Sequence, residues 1–341
     1  MRLDNNGNPI GPGAYLPGAD CSKQDFSNLD LSEANFRDGN LSGAVLRRAN
    51  LANANLRGAR LTGADLTGAD LTGADLTGAD LTESALYATT FVYASLRGSN
   101  LNHSVCRGAD FSYADLTRAG FNFADLTQTL FMNATLDGVR MTYSDLSHAN
   151  LSDANLSDAT LDEARMEQTS LKGAILTRAN LSTVMAADAD FRGSLLDGCV
   201  LCDACLMRAD FSKSKGKLNA PGADFTNALI EDAHLGGYDL HYADFTGADF
   251  TGANLSRSHI CHSNLLGADL TDITESETCF FESVMPDGSV AGAEPDLDVP
   301  SVVPRREPIR QPNPTRQGQP PPPIRRFGPP GDEEPPDPVP A

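Results

Sequence analysis

The chain has 341 residues, with 46 Asp+Glu against 26 Lys+Arg for a formal charge of −20, 6 % aromatic residues and no Trp. Such acidity excludes a protein that grips a nucleic-acid backbone with Lys and Arg, and the scarcity of aromatics leaves any core to small and medium aliphatic side chains. The length by itself suggests about two ordinary domains.

The N-terminus, Met1 to Gly13, lacks a basic stretch followed by an apolar one. No run of about 18 apolar residues occurs either, so neither a signal peptide nor a membrane span is expected and the expected address is cytoplasmic. Seven irregularly spaced cysteines in such a chain are expected as reduced thiols. Of 21 prolines, 17 lie in residues 286–341 and none between Pro17 and Pro221. A chain without proline can pair every backbone N–H in a continuous ladder. The Pro-rich segment 286–341 reads instead as a disordered tail.

A period of five runs through the rest. LTGAD occurs four times in succession from Leu61 to Asp80. Every fifth residue from Leu16 to Phe211 gives 40 positions, of which 37 are Leu, Phe or Met, the exceptions being Cys21, Cys106 and Ala186. Two residues before each stands a small residue in nearly every repeat. The register slips by one residue between Phe211 and Phe225, resumes to Leu270, is interrupted at Glu275 and ends at Phe280 and Met285. In an α-helix successive leucines would be rotated by roughly 140° and leave no apolar face. In a strand the small residue and the Leu two positions later share one face, with Asp or Asn between them pointing out. The odd repeat length then requires a turn after each Leu, which Thr-Gly and Ser-Asp pairs supply. The chain therefore bends after every short strand and winds into a coil with a small-plus-Leu interior.

This pattern resembles the pentapeptide-repeat family, A(D/N)LXX, seen as Ala64-Asp65-Leu66-Thr67-Gly68, and the resemblance covers residues 14–285. It implies an all-β fold, a right-handed quadrilateral β-helix with four repeats per coil and about 13 coils, a rod of roughly 60 Å at the inter-strand spacing. Phe91, Phe111, Phe131, Phe191 and Phe211 are spaced by multiples of 20, which independently predicts a stacked column on one of four faces. Residues 1–13 form the expected N-terminal cap, with the Met285-Pro286-Asp287-Gly288 turn as a second cap candidate. A break at 212–223 interrupts the β-helix of residues 14–285.

Three features point toward function. Residues 14–285 hold 36 Asp+Glu and 19 Lys+Arg, a net −17 by subtraction. Members of the fluoroquinolone-resistance group of this family resemble duplex DNA and occupy the DNA-binding saddle of gyrase, so the resemblance implies DNA gyrase or another topoisomerase as an alternative partner. Of those 36 acids, however, 18 are Asp just before a core residue, where the repeat itself asks for Asp or Asn. Second, Tyr93 and Tyr113 each follow a core Phe by two and lie 20 apart, as Phe123 and Tyr143 do on what reads as the next face. Together they are expected to form an exposed aromatic patch suited to an interface. Third, Ser212 to Gly222, with Lys213, Lys215 and Lys217, is expected to project as a recognition loop.

Metal and catalytic readings are weak. Cys199 reads as inward and Cys202 and Cys205 as outward on opposite sides of a corner, so they do not converge on one ion. His259, Cys261 and His262 cluster on one coil with His241 20 residues before Cys261, which leaves an adventitious surface metal site as the alternative to plain surface side chains. No nucleophile, phosphate loop or convergent carboxylate pair stands out. No cofactor is expected. The sequence reads as a non-enzymatic, rigid β-helical scaffold for protein–protein interaction, with the tail as a flexible tether or, at Arg305–Pro308 and Pro320–Arg326, as a polyproline II ligand.

Overall fold

The computed structural model describes residues 2–3 and 9–292, so the Pro-rich segment falls outside it from residue 293 onward. Among the described residues there is no helix. Every fifth residue forms a parallel bridge to the residue 20 positions later, as Val45 does to Asp65 and Asp65 to Ala85. Four repeats therefore complete one turn of the coil, with one bridge on each of four sides.

Counting amides explains the repeat. In residues 66–70, Leu66 N–H donates to Ala85 O (2.8 Å), Gly68 N–H to Tyr87 O (2.8 Å) and Asp70 N–H back to Ala49 O (3.0 Å). Ala69 N–H closes the turn on Leu66 O at 2.8 Å. The fifth amide, Thr67 N–H, donates to the side chain of Asp65 at 3.0 Å. All five donors are thus paired, as a buried-walled coil demands. The Asx at the outward position is an internal acceptor, repeated for example at Asp70, Asp75 and Asp125. This is the physical origin of the Asp or Asn that recurs at this position.

The interior holds the small and large residues of each strand, both almost fully buried, as Ala64 and Leu66 are. The expected phenylalanine column exists: ring centroids of Phe91 and Phe111 lie 4.7 Å apart, those of Phe111 and Phe131 5.1 Å, and those of Phe191 and Phe211 4.5 Å. Phe121, from the opposite side, meets Phe111 and Phe131 edge-on.

Because positions two apart share the inward face, volume can be exchanged between them. At Val184/Ala186 and Leu218/Ala220 the larger residue takes the small position and alanine the leucine position, and all four are buried. Ala186, an exception to the period in the sequence, is thus compensated within its own strand.

Residues 212–222 correct an expectation: they stay in the wall of the coil and do not project. Leu195 bridges Lys215 at a spacing of 20, Cys205 bridges Asp224 and Lys215 bridges His234 at 19, and Asn219 bridges Asp239 again at 20. The one-residue deletion is absorbed between Lys215 and Leu218, where β3 (Cys199–Val200) pairs in parallel with β4 (Leu218–Asn219). Gly216 makes this possible. Its φ is +119°, and a Cβ there would lie 2.5 Å from Asp197 N and 2.9 Å from Leu196 C, so only glycine fits. One coil further on, Tyr238 fills the small-residue position above Leu218, fully buried, with its hydroxyl donating to His234 O at 3.2 Å.

Antiparallel hairpins stand at both ends. β1 (Arg2–Leu3) pairs with β2 (Pro9–Ile10), and Ile10 joins the core. At the other end Val284 pairs antiparallel with Val290, and Ala291 N–H donates to Ser283 O at 3.0 Å. Residues 286–292, assigned to the tail by composition, therefore belong to an ordered turn. The cysteines bring a second correction: Cys261 and Cys279 form a disulfide, while Cys106, Cys199, Cys202 and Cys205 are free thiols.

Candidate interaction surface

Each repeat turns through a corner residue with φ near +60°, a conformation that glycine adopts freely and bulky residues rarely do. Tyr93, Tyr113, Phe123 and Tyr143 all occupy such corners, at φ 59–62°. The aromatic rings there pay for an unfavourable backbone state, and stacking on the next coil offsets it by about 1 kcal/mol per pair.

The rings stack as ladders along the coil. Tyr93 and Tyr113 have centroids 5.1 Å apart, and their side chains are 65 % and 51 % exposed. Phe123, half-buried, and Tyr143, exposed, are also 5.1 Å apart. The ladder continues below to His103, whose imidazole lies parallel to Phe123 at 5.1 Å. That residue was overlooked in the sequence, although it sits 20 before Phe123.

The four rings do not make a single patch, contrary to expectation. Tyr113 and Phe123 are ten residues apart, half of a 20-residue turn, so the two ladders run along opposite corners of the coil. Two separated aromatic edges result, each flanked by polar residues. On the second edge Tyr143 Oη donates to Glu163 at 2.6 Å, and this hydrogen bond raises the phenol pKa.

Lys213, Lys215 and Lys217 are all exposed and share one side of one coil. Lys213 takes the corner conformation (φ +61°), Lys215 carries the bridges to Leu195 and His234, and Lys217 N–H donates to the Asp197 carboxylate at 3.0 Å. The aromatic and lysine candidates therefore sit on regular structure, not on loops.

The acids are distributed by the period. Asp65, Asp70, Asp75 and Asp80, from the tandem LTGAD copies, occupy four different sides of one coil; their bridge partners on the following turn, Ala85, Thr90, Ser95 and Asn100, carry no charge, and on the preceding turn Asp80 bridges Arg60. Where aspartates do stack, as Asp190 on Asp210, Arg192 reaches both, at 2.6 and 3.5 Å. Arg178 donates to Asp158 and Arg208 to Asp188, 20 residues apart in each pair, and these bonds hold both carboxyls below the usual range.

Burial pushes the Cys199 thiol up to about 12 and raises Cys202 and Cys205 as well, the opposite of what a reactive or metal-binding thiolate needs. Among the described residues no group of three or more His, Cys, Asp or Glu is placed to hold a metal ion. His241 stacks on His259 at 5.6 Å, and His262 on Tyr242 at 5.0 Å. No described helix is long and apolar enough to cross a membrane.

Comparison with known proteins bears on the repeat. The family model for pentapeptide repeats matches in eight copies, over residues 13–43, 44–83, 89–121, 187–215, 221–257 and 239–274. A model for a pentapeptide repeat region matches residues 114–191. Among solved structures the chain is similar to HetL, a pentapeptide repeat protein involved in heterocyst differentiation regulation from the cyanobacterium Nostoc sp. strain PCC 7120. Identity is 30 % over 68 % of this chain and 91 % of that one, with a TM-score of 0.33. A pentapeptide repeat protein from the Arabidopsis thaliana thylakoid lumen is 33 % identical over 30 % of this chain and 71 % of its own, with a TM-score of 0.29. QnrB1, a plasmid-mediated fluoroquinolone resistance protein, is 19 % identical over 56 % and 89 %, with a TM-score of 0.32. No curated protein matches the chain. With both family models lying on the five-residue period that builds the coil, the chain belongs to the pentapeptide repeat family.

Proposed function

We propose that this protein is a non-enzymatic, rigid β-helical scaffold that binds another protein along its aromatic corner edges, with the Lys213, Lys215 and Lys217 row as a secondary contact. In this reading the coil is right-handed and four-sided, the end hairpins act as caps against edge pairing, and the Pro-rich segment tethers the rod. The observation that carries it is the Tyr93–Tyr113 ladder, two large side chains left more than half exposed at corners where glycine would be cheaper. Among the described residues the interior is filled by Leu, Phe and Ala, which favours a scaffold over a substrate-binding enzyme.

The test is a paired measurement on Tyr93→Ser/Tyr113→Ser. Loss of partner capture at an unchanged melting temperature supports the interface; an equal loss of stability means that the ladder only stiffens the coil. Phe123→Ser/Tyr143→Ser, on the opposite corner, tells whether one edge or both are used.

The rival reading, a DNA-mimicking regulator of DNA gyrase or another topoisomerase, rests on the net charge of the rod. Asp65, Asp115, Asp158 and Asp188 spend part of that charge on arginine partners. A supercoiling assay decides: inhibition or drug protection by modest protein concentrations supports mimicry, and no effect at large excess removes it.

A further inference from the structure

The C-terminal end of the coil lacks the interior that holds the rest together. In the preceding turn Leu255, Ile260 and Leu265 are fully buried. In the last turn Leu270 and Phe280 are only half-buried, and Glu275, exposed, stands where the period places Leu. Ile273, half-buried at the small-residue position, replaces only part of that volume. The disulfide lies at this weak turn. Cys261 directly follows Ile260, Cys279 directly precedes Phe280, and their Cα atoms are 5.8 Å apart across 18 residues of sequence. It therefore links the last turn covalently to the one before, on the same rung where Ile260 N–H donates to Cys279 O (2.8 Å) and Cys279 N–H to Ser258 O (2.9 Å).

We propose that Cys261–Cys279 is a redox-operated clip, which holds the last turn of the coil, residues 271–292, in place and releases it when a dithiol reductant opens the bond. Both cysteines are 94 % buried, so the reductant reaches them only as the last turn lifts, and reduction and fraying favour each other. A thiolate of the reductant attacks one sulfur and expels the other cysteine as a thiolate, leaving a mixed disulfide. The second thiol of the reductant then displaces the first cysteine. Two electrons and two protons pass to Cys261 and Cys279, and the reductant leaves as a cyclic disulfide. Cys106, Cys199, Cys202 and Cys205 take no part, because they lie elsewhere in the coil. In a compartment kept reducing by thiols the clip is open; in an oxidising one it is closed.

Hydrogen exchange on the full chain, with and without dithiothreitol, tests this. Reduction is expected to speed exchange of amides in residues 271–291 on the order of a hundredfold, the effect of losing closure of a short loop, while residues 31–210 keep their protection. Cys261→Ser/Cys279→Ser is expected to reproduce the fast exchange without reductant. Unchanged exchange on reduction overturns the proposal, as does equal loosening of the whole coil. So does alkylation of all seven cysteines in unreduced, denatured protein.

Discussion

The turn built from four LTGAD copies and the turns that follow Gly216 show how differently one backbone can be filled. In residues 61–80 every strand carries Ala and Leu inward and Asp outward, and the ladder spacing is 20 on all sides. Around Gly216 the bridge spacing shrinks to 19 on all four sides of one turn, and beyond it large residues enter the small-residue positions at Leu218, Tyr238 and Ile273 and a glutamate stands where Leu belongs. Yet the parallel bridges persist from one region to the other. The backbone ladder sets the fold, and the side chains need only supply enough inward volume per strand. Where they fall short, at the last turn, a covalent bond appears.

The largest effect is expected from removing volume in the regular region. Phe111 stacks between Phe91 and Phe131, and Phe111→Ala is expected to cost about 3–5 kcal/mol in urea unfolding. A much smaller loss would mean that the regular turns repack as freely as the irregular ones. Gly216→Ala strikes the irregular region, where the added Cβ meets backbone at 2.5 Å. It should cost about 2 kcal/mol or more, whereas Gly63→Ala, with open space at the corner, should cost about 1 kcal/mol through its φ alone. Equal losses at the two glycines would remove the distinction between the regions.

Glu275→Leu restores the period in the last turn and is expected to stabilise it by about 1 kcal/mol, visible as slower exchange of its amides. No gain would show that the weakness of this turn comes from its uncovered end and not from its side chains. The smallest effect concerns the charged corners. Arg178 and Arg208 lower the pKa of Asp158 and Asp188 in the folded state, so their contribution is full above about pH 4 and lost as pH falls through the lowered values. Both pairs are exposed, so Arg178→Ala should lower the melting temperature slightly at pH 7, by an amount that shrinks as the pH falls below about 4. A difference that widens at low pH would contradict the sign of the shift.

Much of this was readable from residues alone. The period, the small-plus-Leu interior and the phenylalanine column all follow from inward positions recurring every five and every 20 residues. The site was less legible. The residues Tyr93, Tyr113, Phe123 and Tyr143 are legible, but ten residues is half a turn and not the step to the next face, so the single expected patch divides into two opposite edges. His103 joins Phe123 through the same spacing of 20, and the lysine-rich composition of residues 212–222, which reads as a projecting loop, lies in the wall.

The sequence by itself determined the repeat, its strand-and-turn character and the outward Asp, because the turn amide and the Asx-bonded amide are both paired within one five-residue unit. Only the tertiary structure decided how the deletion near Gly216 is absorbed, where Tyr238 goes and which cysteines meet. These depend on contacts between residues about 20 apart on neighbouring turns, and a one-residue change in register moves every one of them.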